Sequence, residues 1–167
     1  MPTPRFIRAL AAQETAERPA TLVTFSHAAF SEPIRITDCA TPITTTAPAL
    51  LLEGETEAVF TPVAMQAVEL PGEGADATAR RSRLLIDNTD REVQAKFAFA
   101  QDEIECRLDL VLADAPDDIQ ESWPRLRVTE YSPAGGMMTV ALAPRDDSAE
   151  VWPYQTFAPG RTPGLFS

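Results

Sequence analysis

Hydrophobic and polar positions alternate with period two over most of this chain. Ile104-Glu-Cys-Arg-Leu-Asp-Leu-Val-Leu112 is the clearest case. A period of two places Ile104, Cys106, Leu108, Leu110 and Leu112 on one face of a strand, and Glu105, Arg107 and Asp109 on the other. One buried and one wetted face predicts an antiparallel sheet rather than a doubly wound parallel one. Arg125-Leu-Arg-Val-Thr-Glu-Tyr131 repeats the pattern, and Met138, Val140 and Leu142 share a face of the next run. Pro133-Ala-Gly-Gly136 lies between them, and its two adjacent glycines predict a hairpin. Thr21–Phe25, Pro33–Thr37 and Ile43–Thr46 read as shorter strands, Ile34 and Ile36 sharing a face. Glu53-Gly54-Glu55 marks a turn. Thr61–Leu70 alternates as one strand, with Val63, Met65 and Ala67 opposite Ala64, Gln66 and Val68.

Helical spacing occurs at two places. Residues 3–17 place Phe6, Ile7 and Leu10 on one stripe, with Thr3 as cap, Pro4 in the first turn and Pro19 as terminator. The stripe suits packing on the domain's own sheet or docking on a neighbour. A strand at Arg81–Ile86, with Leu84 and Ile86 together, runs into a helix over 90–101 with Val93, Phe97 and Ala100 inward. Thr89 or Asp90 can accept the free amides of its first turn, and Asp90 and Glu92 suit its positive end. Between the strands, Pro71–Arg81 is small, polar and aperiodic, the composition of a long loop. Many short strands with two separated helices predict a mostly-β, α+β fold: an antiparallel sandwich or split barrel with one or two packed helices.

The closing segment breaks these patterns. Trp152-Pro-Tyr-Gln-Thr-Phe-Ala-Pro-Gly-Arg-Thr-Pro-Gly-Leu-Phe166 holds three prolines and two glycines, so it is neither a helix nor an inner strand. It is also too apolar for an ordinary terminus. The reading is one domain over 1–151 and an extended arm over 152–167. Trp152, Tyr154, Phe157, Leu165 and Phe166 are its candidate anchors, on the arm's own subunit or on another copy.

Composition narrows the partners. With 167 residues the chain is large enough for one core without disulfides or metal. Its formal charge of −11 disfavours nucleic acid and anionic membranes. The basic residues are arginines apart from Lys96, which suits fixed contacts but also follows from genomic base composition. No uninterrupted apolar run approaches membrane-spanning length, and Met1–Arg8 does not read as a signal peptide, so cytoplasmic synthesis is expected. Cys39 and Cys106 read as small buried hydrophobes rather than a disulfide.

Catalytic chemistry finds little purchase. His27 is the only histidine, and it stands between Ser26 and Ala28, outside any nucleophile motif. One histidine and two distant cysteines do not make a zinc set. Asp87, Asn88 and Asp90 resemble part of a calcium loop but lack its glycine and closing glutamate, so capping is the simpler reading. Asp114, Asp117 and Asp118 read as a solvated acidic turn. Asp146–Asp147 and Glu103, Glu105 and Asp109 raise glycoside hydrolysis, with a strand's wet face as the plainer account. The reading is therefore no enzyme, no metal and no cofactor.

Two segments carry a family resemblance. Arg83-Leu-Leu-Ile-Asp-Asn-Thr-Asp-Arg-Glu-Val93, with the leucine-rich strand after it, resembles the middle of a family of phage and prophage minor tail proteins. Tyr154-Gln-Thr-Phe-Ala-Pro-Gly-Arg-Thr-Pro-Gly-Leu-Phe166 is similar to that family's Pro-Gly-Leu-Phe close, and Glu32-Pro-Ile-Arg-Ile-Thr37 fits the upstream order. Between residues 40 and 80 the likeness is loose. It implies a non-catalytic protein of the tail tip or distal tail, set between tube and hub. Its partners would be other copies in a trimeric or hexameric ring and the neighbouring tail-tube, distal-tail or hub proteins. It would reside in the virion tail after a cytoplasmic stage. A sugar- or receptor-binding module is the alternative; a small cell-wall hydrolase using His27 or a carboxylate pair is a more distant one.

Overall fold

The structure, a computed structural model, describes residues 3, 4, 7, 17–69, 82–87, 91–100 and 102–145. Among the described residues nine strands are formed: β1 (Pro19–Ser26), β2 (Ile34–Thr37), β3 (Ile43–Thr45), β4 (Ala58–Pro62), β5 (Met65–Glu69), β6 (Ser82–Asp87), β7 (Glu105–Leu112), β8 (Glu121–Ala134) and β9 (Met137–Pro144). A 3₁₀ turn spans Pro48–Leu50, and helix α1 spans Glu92–Phe99. Pro4 and Ile7 are also helical, and the Ile7 amide donates to Thr3 O at 3.0 Å. Phe6 and Leu10 lie outside the described residues. The fold is α+β and mostly β, one open mixed sheet in the order β3-β4-β2-β1-β7-β8-β9-β6-β5.

That order has a geometric consequence. β4 and β5 stand near opposite ends of the sheet, yet only Val63 and Ala64 separate them. Three Cα steps span at most about 11 Å, so the sheet must curl until its ends approach. Two backbone hydrogen bonds bridge the seam: Val63 N–H donates to Thr37 O at 2.9 Å, and Asp87 N–H donates to Ala64 O at 2.8 Å. The single strand expected over Thr61–Leu70 is thus two strands that change partner midway, β4 on β2 and β3, β5 on β6. Alternation marks a strand locally but carries no information about its neighbours. The antiparallel expectation needs one amendment, since β2 and β4 pair in parallel.

Curling gives the sheet an inner core. Val23, Phe25, Ile34, Ile36, Leu84, Ile86, Cys106, Leu108, Leu126, Met138, Val140 and Leu142 converge there. α1 inserts Phe97 into this core, edge-on to Phe25 with ring centroids 5.1 Å apart, while Val93 and Ala100 pack beside it. The helix is shorter than the expected 90–101. Its cap position is Arg91, held at φ 56° and ψ 14° without a side-chain cap bond; Thr89 and Asp90 lie outside the described residues.

The opposite face of β1 and β7 is not wet. Ile43, Ala47, Leu50, Ala58 and Phe60, from β3, the 3₁₀ turn and β4, cover Ala20, Leu22 and Val111 there. This second core overturns the solvent-facing assignment of Asp109, which is fully buried.

β8 is longer than its alternating run, extending through Pro124 to Ala134. Cys106 pairs with Leu126 and Leu108 with Trp123, so Arg107 stands opposite both Pro124 and Arg125. A bulge leaves one residue outside the ladder, which is where a strand tolerates proline. The β8–β9 hairpin forms as expected: Ala134 pairs with Met137, and Gly135 and Gly136 both take positive φ, 60° and 85°. Such a two-residue turn matches the strand twist only with left-handed residues.

Candidate interaction surface

The expected anchors Trp152, Tyr154, Phe157, Leu165 and Phe166 lie outside the described residues, as do the carboxylates Asp146 and Asp147. The other candidates are placed, and most have structural employment. The His27 ring turns back on its own loop: Nδ1 accepts the Ala29 amide at 3.0 Å, and the ring packs on Phe30 with centroids 5.4 Å apart. His27 shares a shallow depression with Asp102, Glu103 and Glu105, but no carboxylate is hydrogen-bonded to it among the described residues. Cys106 is buried in the inner core, and burial, helped by the Asp109 charge, pushes its thiol pKa well up. Cys39 packs against the second core, and partial burial, then the Asp38 charge, raises its thiol too. Both thiols are free. Among the described residues no three His, Cys, Asp or Glu side chains converge as a metal set.

The carboxylates divide into braces, of which Asp109 is fully buried and Glu55 partly so, and exposed pairs. Asp109 receives the Arg107 guanidinium side-on, Nε to Oδ2 at 2.8 Å and Nη2 to Oδ1 at 2.9 Å, and Ser122 Oγ donates to Oδ1 at 2.5 Å. Arg107 Nη1 also donates to Ala49 O at 2.6 Å. Arg35 grips Glu55 with both terminal nitrogens, at 3.0 and 2.6 Å, while the Leu52 amide donates to the same carboxylate. The Arg35 hydrogen bonds and the Leu52 amide hold the Glu55 carboxyl below its usual range. Thr24 lies opposite both arginines, paired with Arg35 on β2 and Arg107 on β7. The two guanidiniums therefore pin the 3₁₀ turn and the following loop over the second core. Bidentate geometry favours arginine at both positions.

Asp117 is not merely solvated. It accepts from Thr45 Oγ1 at 2.7 Å, Thr46 N–H at 2.6 Å and Thr46 Oγ1 at 2.9 Å, tying the β7–β8 connection to β3. Those donors, Thr45 first, lower its carboxyl below the ordinary aspartate range. Glu103 and Glu105 do face water, paired with Arg127 at 3.4 Å and Arg145 at 3.1 Å. These four line an open cleft of about 670 Å³ with Asp102 and Arg125. Its charges of both signs lie close together, and exposed pairs of this kind contribute about 0–1 kcal/mol each.

Sequence reading missed an aromatic surface beside α1. Phe30 stacks on Phe97 with centroids 6.4 Å apart and planes 13° apart, and Tyr131 meets Phe97 edge-on at 5.4 Å. Phe99, on the other side of the helix, is 75% exposed. Ala29, Phe30, Ser31, Glu32, Lys96 and Phe99 enclose a small pocket of about 110 Å³. A hint existed in Lys96-Phe-Ala-Phe99: two phenylalanines two residues apart cannot share one helix face.

The fold and surface define a small mostly-β domain, a curled nine-stranded sheet with one short helix across its inner core. The chain belongs to the family described as a domain of unknown function (DUF1833), matched over residues 6–148. None of the curated proteins matches it. No helix among the described residues is long and apolar enough to cross a membrane.

Proposed function

We propose that this protein is a structural component of a phage or phage-like tail, placed at the tip between tube and hub, and that it acts by assembling into a ring. The observation that carries the reading is the concentration of apolar side chains in the proline-rich closing segment of the sequence. Among the described residues, positions between 20 and 142 supply both buried cores. The segment 152–166 then adds Trp152, Tyr154, Phe157, Leu165 and Phe166 between prolines. Proline restricts the free arm, so less conformational entropy is lost when it docks. The net charge of −11 keeps unassembled copies soluble and apart. The likeness of residues 83–93 and 154–166 to phage tail proteins supplies the particle; the arm supplies the means.

Deletion of residues 152–167 tests this. The truncated protein is expected to keep a cooperative melting transition by circular dichroism and to remain monomeric by mass photometry at concentrations where the full chain assembles. Loss of the transition would make the segment part of the core and overturn the reading. So would assembly equal to that of the full chain.

A further inference from the structure

From the groove between β2, β4 and α1 we infer a docking site for the basic run Arg80-Arg81-Ser82-Arg83 of a second copy of this chain. The inference rests on the assembly reading and adds to it a contact that does not involve the closing arm. The parallel β2–β4 ladder holds only at Ile36–Thr61 and Thr37–Pro62. Upstream of those pairs the strands part, and a groove of about 520 Å³ opens between them and α1. Binding clefts commonly measure about 300–1,000 Å³. Val59 lies in the groove and is half-exposed, with Val63 and Val93 also lining it. Glu32, Glu57 and Glu92 line it as exposed carboxylates that make no ion pair among the described residues. Arg35 and Glu55 pair with each other there, which leaves three carboxylates against one ammonium, that of Lys96. Apolar surface among carboxylates suits arginine, whose stem lies on the apolar part while its guanidinium stays at the charges.

Charge and position select the occupant. In a chain of net charge −11, Arg80-Arg81-Ser82-Arg83 is the densest basic run, three arginines in four residues. Arg83 is exposed on β6, and Arg80 and Arg81 precede that strand, outside the described residues. The run cannot reach the groove of its own copy. Five residue steps along β6 separate Ser82 from Asp87, about 17 Å. Asp87 N–H donates to Ala64 O, next to Val63 at the near end of the groove. β5 runs antiparallel to β6, with Met65 opposite Ile86 and Glu69 opposite Arg83, so the groove residues before Val63 lie beyond Asp87. The Cα atoms of Arg83 and Arg81 therefore stay about 13 Å or more from that near end, too far for an arginine side chain. Glu57 lies about 20 Å further along the extended chain. The four-residue run itself spans about 10 Å when extended, shorter than the Glu57–Val63 stretch against which it would lie. Groove and run thus sit toward opposite ends of the strands, and the contact between copies is heterologous. Each copy receives one neighbour and is received by the next, the relation that closes into rings.

The test reverses each side of the contact in the full-length chain, with melting curves to check folding and mass photometry to read assembly. The groove reversal combines Glu57→Lys with Glu92→Lys; the run reversal combines Arg81→Glu with Arg83→Glu. A control, Glu53→Lys with Asp118→Lys, makes the same change in net charge as the groove reversal at residues that do not line the groove. Each reversal is expected to assemble at least tenfold more weakly than the wild type, and the control to match it. An equimolar mixture of the two reversals should regain assembly, because the reversed groove meets the reversed run and the two native halves also meet. Should a reversal lower the melting temperature, Glu57→Gln with Glu92→Gln and Arg81→Gln with Arg83→Gln carry the same comparison. If deletion of residues 152–167 abolishes assembly while neither reversal weakens it, this inference fails and the assembly reading stands. Weakening by only one reversal, equal weakening by the control, or a mixture as weak as its parts overturns the pairing of groove and run. A full chain that stays monomeric at every concentration overturns both readings.

Discussion

Replacing Asp109 with alanine tests the second core most directly. Its carboxylate is fully buried on the outer face of β7, and it receives two Arg107 hydrogen bonds and one from Ser122. Removal leaves a guanidinium and a hydroxyl without their acceptor, and it loosens the Arg107 contact that holds Ala49 O. Breaking a buried ion pair costs about 3–5 kcal/mol. The Arg107 side chain is 24% exposed, so water recovers part of that loss. The expected cost is about 3 kcal/mol, near the lower end of the buried range. For a chain of this size that lowers the melting temperature by roughly 6–12 °C. Urea unfolding followed by circular dichroism should show a lower midpoint with an unchanged slope, the mark of lost stability rather than a changed denatured state. Ser122→Ala, which removes one donor, should cost about 1 kcal/mol. An Asp109→Ala variant within about 0.5 kcal/mol of the wild type would behave as an ordinary surface substitution. It would refute the burial of this face.

Three further outcomes are expected. Asp117 has a folded-state pKa below its ordinary 3.8, so its contribution is complete above the unfolded value and lost as pH falls through the lowered one; urea midpoints taken between about pH 6 and pH 2 should decline less for Asp117→Asn than for the wild type. At Gly135, φ is 60° with open space around the position of a side chain, so only the backbone resists substitution. Gly135→Val should cost about 1–2 kcal/mol in thermal unfolding, and Gly135→Asn should be nearly neutral because asparagine tolerates the left-handed region. Ellman's reagent should leave Cys106 unmodified in the native protein and modify Cys39 slowly, with both thiols reacting in denaturant, since a thiolate is required and burial disfavours it.

Local pattern settled much of this molecule. The alternation of Leu84 and Ile86, of Cys106 and Leu108, and of Met138, Val140 and Leu142 names the inner core, because side chains on a pleated strand point to one face at every second residue. The two glycines before Met137 specify the hairpin, because only residues at ease with positive φ can make so short a turn. The proline-punctuated aromatic close lies outside the described residues, and it motivates the assembly reading. Partnership was decided only in three dimensions. Thr61–Leu70 alternates as a continuous strand, but the fold splits it at Val63–Ala64 and sends its halves to opposite ends of a curled sheet. Asp109 occupies a polar register position, yet β3, the 3₁₀ turn and β4 fold over that face and make the carboxylate a buried brace. Phe30 and Phe99 lie far apart in the chain and form a pocket only once α1 is seated on the core. A strand's period reports which residues share a face; what covers that face depends on segments distant along the chain, whose meeting no local spacing records.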